Sequence, residues 1–273
     1  MAQYYQKINT IFKRDMNPGK FHNCIMPEEG FVQPEFEYLR GCKFECTEKV
    51  DGTNMSVHLV PIGYKYVPEG VVIVRDPKTG ETHEETRKDV YKVSYVMEIH
   101  GKTEKADTPK HLQAKMEDLF NLEQLMVVFN KDHCYATEEE ARKEAYDGRV
   151  VVFGEGYGMK IQKGGNYISN DCGFILFDVM IGGMYLLRES LEDIAQKLEI
   201  PIVPLIGYMT VDEAIEFVRK GFKSTIAENK DYDAEGLVLK TPMGLLNRKG
   251  ERIITKIKTC DFRQLEAREK SQK

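Results

Sequence analysis

No apolar run in this chain approaches the roughly 20 residues that a membrane-spanning helix needs, and Met1 to Lys7 contain no signal-type apolar segment. The cysteines (Cys24, Cys42, Cys46, Cys134, Cys172 and Cys260) include no CxxC pair and no zinc-type spacing. Cys42 and Cys46 have no nearby histidine pair, so reduced thiols in a cytoplasmic protein are expected. Internal repeats, low-complexity tracts and a clear interdomain linker are also missing. A net charge of −5 at pH 7 excludes a protein that coats nucleic acid through bulk charge. With 41% hydrophobic and 30% charged residues, 273 residues suffice for one large or two small globular domains.

The charge is unevenly spread. Lys240 to Lys273 hold ten Lys/Arg against four Asp/Glu, so the excess of acid lies in the preceding residues. A basic C-terminal segment on an acidic body suits a polyanion held at one place, and it also suits a solvated helix end.

Residues 1–40 are interrupted by Pro18-Gly19, Pro27 and Pro34 and read as a strap packed on the main body, with Ile8–Arg14 as a short strand or turn. Three β-rich segments follow: Lys43–Thr47, Met55–Val60 and Val71–Arg75, the last bounded by Pro68 and Pro77. Leu112 to Met126 recur at helical spacing behind Thr108-Pro109. Thr137 with Glu140 and Thr210 with Glu213 read as capping boxes, with stops at Gly148 and Gly221. Ser190 is expected to open another helix. Arg149–Glu155, Phe174–Val179, Glu235–Lys240 and Arg252–Lys258 read as strands, and Gly182-Gly183 as a hairpin turn. Strands and helices do not alternate regularly, so the pattern is α+β with antiparallel sheets flanked by helices.

Four of these segments deliver charge at a strand end or face: Lys49, Glu155, Glu235 and the pair Lys256/Lys258. Lys49 sits in Glu48-Lys49-Val50-Asp51-Gly52-Thr53-Asn54, where Gly52 lets the backbone turn beside a ligand. It reads either as a solvated lysine before an Asp-Gly turn or as an amine nucleophile. Lys256 and Lys258, two apart in a strand, emerge on one face while Ile257 faces the other. Two adjacent cations repel unless an anion lies between them, and phosphate suits that position. Glu155 and Glu235 offer hard oxygen ligands of the kind Mg²⁺ prefers. Taken singly, each also fits an exposed strand residue.

In order, Lys49-Val50-Asp51-Gly52, Phe153-Gly154-Glu155, Ile175-Leu176-Phe177-Asp178, Glu235-Gly236-Leu237-Val238 and Lys256-Ile257-Lys258 resemble motifs I, III, IIIa, IV and V of covalent nucleotidyltransferases. That superfamily comprises RNA ligases, DNA ligases and mRNA capping enzymes. Glu48 before the lysine, Gly52-Thr53-Asn54 after it and Gln162-Lys163 resemble most nearly the Rnl2-type RNA ligases. The resemblance covers roughly residues 40–260. It implies an ATP-grasp-like ligase nucleotidyltransferase domain over 41–260, followed by a basic tail, 261–273.

The resemblance further implies Lys49 as covalent AMP acceptor, with Lys256 and Lys258 on the α-phosphate. Glu48, Asn54, Arg75, Glu155, Phe177 and Glu235 would bind the nucleotide, Phe177 stacking on adenine and Glu155 holding the ribose. Glu235 and Glu155 would hold Mg²⁺ or Mn²⁺, and Lys163 and Arg252 would contact RNA. The implied activity uses ATP to seal an RNA 5′-phosphate to a 3′-OH. A DNA ligase, a GTP-using capping-type enzyme and a non-catalytic RNA-binding protein on the same fold are the alternatives. Fifteen residues follow Lys258 in this sequence, too few for the OB-fold of DNA ligases and capping enzymes or the helical domain common in Rnl2-type ligases. The expectation is therefore a bare nucleotidyltransferase domain, to which a partner protein could bring RNA-end recognition.

Overall fold

A computed structural model describes residues 5–103, 108–162 and 167–272. In chain order the first elements are α1 (Glu35–Tyr38), β1 (Phe44–Lys49), β2 (Thr53–Arg75) and β3 (Thr82–Gly101). They are followed by α2 (Lys110–Leu119), α3 (Leu122–Val128), β4 (Cys134–Tyr135), α4 (Glu138–Asp147) and β5 (Val150–Gly158). Next come β6 (Cys172–Ile181), β7 (Met184–Tyr185), α5 (Arg188–Lys197) and β8 (Leu205–Met209). The last elements are α6 (Val211–Lys220), β9 (Gly236–Lys240), β10 (Ile254–Lys258) and α7 (Thr259–Gln272). The expected α+β class with antiparallel pairing holds.

The chain divides into two compact units. The first comprises Asn54–Gly154 and Phe174–Pro201; the second comprises Tyr5–Thr53, Glu155–Gly173 and Ile202 onward. The first is built on a six-stranded sheet in the order β3-β4-β2-β5-β6-β7, with β2 and β3 also paired directly. β2 is one strand of 23 residues rather than the two short ones expected. Pro61 and Pro68 do not break it, because the register shifts between Pro61 and Gly63, and Pro68 falls where the pairing skips from Val67↔Val90 to Glu69↔Lys88. Irregular points of this kind are where a strand tolerates a residue that cannot donate to the ladder. The helical stretch expected over 112–126 is two helices, because Phe120 is extended and Asn121 caps α3 by accepting from the Gln124 N–H. α5 opens at Arg188, two residues before Ser190.

The second unit is a four-stranded antiparallel sheet in the order β10-β9-β1-β8. Alternation along the strands puts Cys46, Leu237, Leu239 and Ile257 into one core with Val211, Ala214 and Val218 of α6 and Phe262 of α7. The N-terminal strap belongs to this core through Ile11, Phe12, Ile25 and Phe36. It also runs along the edge of β10, where Ile11 N–H donates to Lys256 O and Lys256 N–H to Asn9 O, each at 3.1 Å. The stretch expected as a basic tail is the helix α7. Its Arg263 and Arg268 pair with Asp233 and Asp15, and its Asp261 accepts from Arg14 at 2.6 Å.

Both expected capping boxes are present, Thr137/Glu140 on α4 and Thr210/Glu213 on α6. Because Thr210 holds the helix that closes the second core, Thr210→Ala should lower the unfolding free energy by about 1 kcal/mol in urea titration. An unchanged midpoint would show that solvent satisfies the freed N–H equally well.

Candidate active site

Gly236 is the meeting point of the second unit's sheet. It opposes Lys49 of β1 on one side and Lys258 of β10 on the other. A Cβ at this position would strike the Ile257 carbonyl, and its φ of +153° is one that side-chain-bearing residues rarely adopt. Only glycine lets the two lysine-bearing strands close on β9 here. Directly before it, Glu235 accepts from both lysines, its Oε2 lying 2.5 Å from Lys49 Nζ and its Oε1 2.7 Å from Lys258 Nζ. Lys49 Nζ also donates to Val50 O at 3.3 Å.

The face expected for Lys256 and Lys258 is the one observed. Both are half-buried, whereas Ile257 between them is buried in the core. Burial opposes the Lys258 ammonium, but the hydrogen bond and charge of Glu235 outweigh it and hold Lys258 above the ordinary lysine range.

The turn after Lys49 rests on Glu155 and Gly156. A Cβ on Gly52 would strike the Gly156 carbonyl and approach Glu155 Cγ at 2.8 Å, so this glycine is required by close approach. Burial pushes the Glu155 carboxyl up to about 7, helped by the negative charges of Glu235 and Asp51 and opposed by Lys49 and the Gly52 N–H.

Glu48 points away from Lys49, as neighbours on a strand must. Its carboxylate is buried and accepts from Ser224 Oγ at 2.5 Å and from Thr225 N and Oγ1 at 2.9 and 2.6 Å. Placed this way, the side chain fastens the 224–225 loop beneath the lysine strand.

The profile of the RNA ligase family matches residues 43–258, most of the sequence. The chain belongs to the RNA ligase family. Its similar solved structures include the RNA ligase of Naegleria gruberi with pyrophosphate, at 16% identity and a TM-score of 0.46, covering 98% of this chain and 65% of that one. A point mutant of the same ligase with ATP and Mn is 16% identical at a TM-score of 0.45, covering 85% and 54%. A second mutant with ATP and Mn is 18% identical at 0.44, covering 82% and 52%. The chain thus spans about half to two thirds of the length of these structures. No curated protein matches the sequence.

In this family member, Glu48, Lys49, Glu155, Glu235, Lys256 and Lys258 all belong to the second unit. Asn54, Arg75 and Phe177 belong to the first unit. Asn54 and Arg75 stand near opposite ends of β2. Arg75 is exposed at the hairpin tip, where Nε donates to Gly80 O at 3.2 Å. Phe177 is half-buried on β6, on the opposite face from the buried Leu176 and Asp178. Arg252 is buried, its guanidinium donating to Tyr5 Oη at 3.1 Å and lying over the Tyr5 ring. Lys163 lies outside the described residues.

One residue of this neighbourhood escaped the sequence reading. Tyr167 is fully buried and its Oη accepts from Asp51 N–H at 3.3 Å, propping the turn after Lys49. Tyr157 and Tyr232 meet its ring edge-on at 5.8 and 5.0 Å. A tyrosine in a polar loop carries no periodic signal, and its position just past Gly164-Gly165 is the nearest hint.

The Glu155 carboxyl gives a pH-dependent prediction. Its folded value near 7 exceeds the ordinary 4.5, so above 4.5 the folded state keeps a proton that the unfolded state has lost. Stability is therefore lost as pH rises between these values, and the deficit is complete above 7. Without nucleotide or metal, Glu155→Gln should raise the melting temperature relative to wild type at pH 8 and much less at pH 5. An equal shift at both pH values would contradict the burial of an uncompensated charge.

Proposed function

We propose that this chain is the nucleotidyltransferase part of an ATP-dependent RNA ligase of Rnl2-like type. It would take AMP from ATP onto Lys49, pass it to an RNA 5′-phosphate and seal that end to a 3′-OH. The observation that carries this reading is the Glu235 carboxylate shared by Lys49 and Lys258 across Gly236. An amine poised beside fixed cations is what phosphoryl-group capture by nitrogen requires, and family membership makes RNA the favoured acceptor.

To react, Lys49 passes its extra proton to Glu235 or to solvent and leaves the ion pair. Its Nζ lone pair then forms a bond to the α-phosphorus as the bond from that phosphorus to the pyrophosphate oxygen breaks. Lys258, and Lys256 on the same face, balance the charge on the non-bridging oxygens. In the second step the bond to Lys49 breaks and AMP joins the RNA 5′-phosphate. In the third, the 3′-OH attacks that phosphate and AMP departs with the bonding electrons. The resemblance further gives Glu155 the ribose, Phe177 the adenine face, and Asn54 the nucleotide or RNA end.

Glu235 and Glu155 offer the hard-oxygen ligands that a divalent cation such as Mg²⁺ or Mn²⁺ takes, and the resemblance gives them that ion. When bound, that ion supplies charge neutralisation on the phosphates. The Naegleria gruberi ligase structures with ATP and Mn are consistent with this choice. Among the described residues no helix is long and apolar enough to cross a membrane.

Wild-type chain incubated with Mg²⁺ and α-labelled ATP should carry label through denaturing electrophoresis, and Lys49→Ala should carry none. Lys258→Ala should slow labelling by about 10²–10³-fold, the usual loss on removing one charge-stabilising group. Preference for labelled GTP, or sealing of nicked DNA in place of nicked RNA, would overturn the RNA ligase reading. Labelling without sealing of any 5′-phosphorylated RNA would assign end recognition to a partner protein.

A further inference from the structure

A second cluster of ligand-type side chains lies on the long hairpin of the first unit. His58 on β2 is directly opposite Glu98 on β3, and His100 is opposite Ser56. Residues two apart on a strand share a face, and cross-strand partners share it too. His58, Glu98 and His100 therefore project together from one face of the hairpin. Each can offer a ligand atom such that all three lie within 4.8 Å of one another, and among the described residues no other group of three does so.

Two details distinguish this cluster from an ordinary patch of polar side chains. The first is His58, which is fully buried, with Nδ1 lacking any hydrogen-bond partner. A buried ring nitrogen without a partner carries a desolvation cost that most folded proteins avoid. The other ring nitrogen, Nε2, lies 2.9 Å from Ser56 Oγ. The tautomer that donates from Nε2 to Ser56 leaves a lone pair on Nδ1. A histidine held through one nitrogen so that the other is free to ligate is the usual arrangement behind a metal ion. The second detail is the contact between His100 Nε2 and Glu98 Oε2 at 3.0 Å, two potential ligands already converged.

We propose that His58, Glu98 and His100 form a transition-metal site on the hairpin, suited to Zn²⁺, that is separate from the cation expected with the nucleotide. Imidazole and carboxylate together are ligands of Zn²⁺-like ions, whereas Mg²⁺ favours oxygen alone. Metal–ligand bonds of about 2.0–2.2 Å in a tetrahedron set ligand atoms roughly 3.4 Å apart, so modest side-chain rotation closes the observed spacing. Three protein ligands leave a fourth position for water, reachable because Glu98 is exposed. Spanning two strands, the ion would tie β2 to β3. The site does not depend on the ligase reading.

The test is titration of ZnCl₂ into the metal-stripped full chain, with Co²⁺ as a spectroscopic substitute. One equivalent should bind at micromolar concentration or below and raise the melting temperature. Glu98→Gln and His100→Gln, at positions open enough to keep the fold, should each weaken binding at least about tenfold. Bound Co²⁺ should show d–d bands without a thiolate charge-transfer band, unchanged in Cys42→Ser and Cys260→Ser. Absence of uptake, uptake unaltered in both ligand variants, or a thiolate band lost with the cysteines would each overturn the proposal.

Discussion

The second unit is organised around one shared carboxylate. Glu235 accepts from two ammonium groups on different strands, Lys49 and Lys258, within a partly buried setting where a charge left unpaired would be costly. Neither lysine has this partner by local sequence, since 186 residues separate Lys49 from Glu235. The sheet register brings them together. A shift of one residue in β1 or β10 would turn its lysine into the apolar core and Glu48 or Ile257 towards the Glu235 side of the sheet.

The arrangement also explains the order of polar groups beneath the site. Above the sheet lie the lysines and the acids that hold them; below it, Glu48 fastens the 224–225 loop and Leu237, Leu239 and Ile257 fill the core. The turn after Lys49 is fixed from two sides, by Gly52 seated against Gly156 and by Tyr167 accepting from Asp51. The proposed role of Lys49 as nucleophile requires an amine aimed to within fractions of an ångström. The rigid surroundings limit how far the amine can wander when it leaves Glu235.

Much of this site was legible because strand alternation is a strict rule. The shared face of Lys256 and Lys258 follows from a period of two, and Glu235 and Lys49 from apolar runs bordered by charge. The same rule, applied to Glu48 and Lys49, separates their side chains, although adjacency in sequence suggests one shared task. Other features were not legible. Pro61, Gly63 and Pro68 look like strand ends, yet they fall at irregular points of a single long hairpin. Arg75 reads as the end of a short separate strand, but the continuity of β2 carries it to the hairpin tip. α7 is polar with few apolar anchors, so Phe262 in the core became evident only with the fold. Tyr167 reaches Asp51 across 116 residues from a loop without periodicity, a contact that only tertiary structure defines.

The most direct measurement of the central claim is peptide mapping by mass spectrometry after incubation of the chain with ATP and Mg²⁺. The account predicts an acid-labile AMP adduct on the peptide containing Lys49, on that side chain and no other. It also predicts that Glu235→Ala, which removes the partner shared with Lys258, greatly reduces the adduct without moving it. An adduct on a different lysine, or an unmodified Lys49 peptide when AMP is covalently bound, would contradict it.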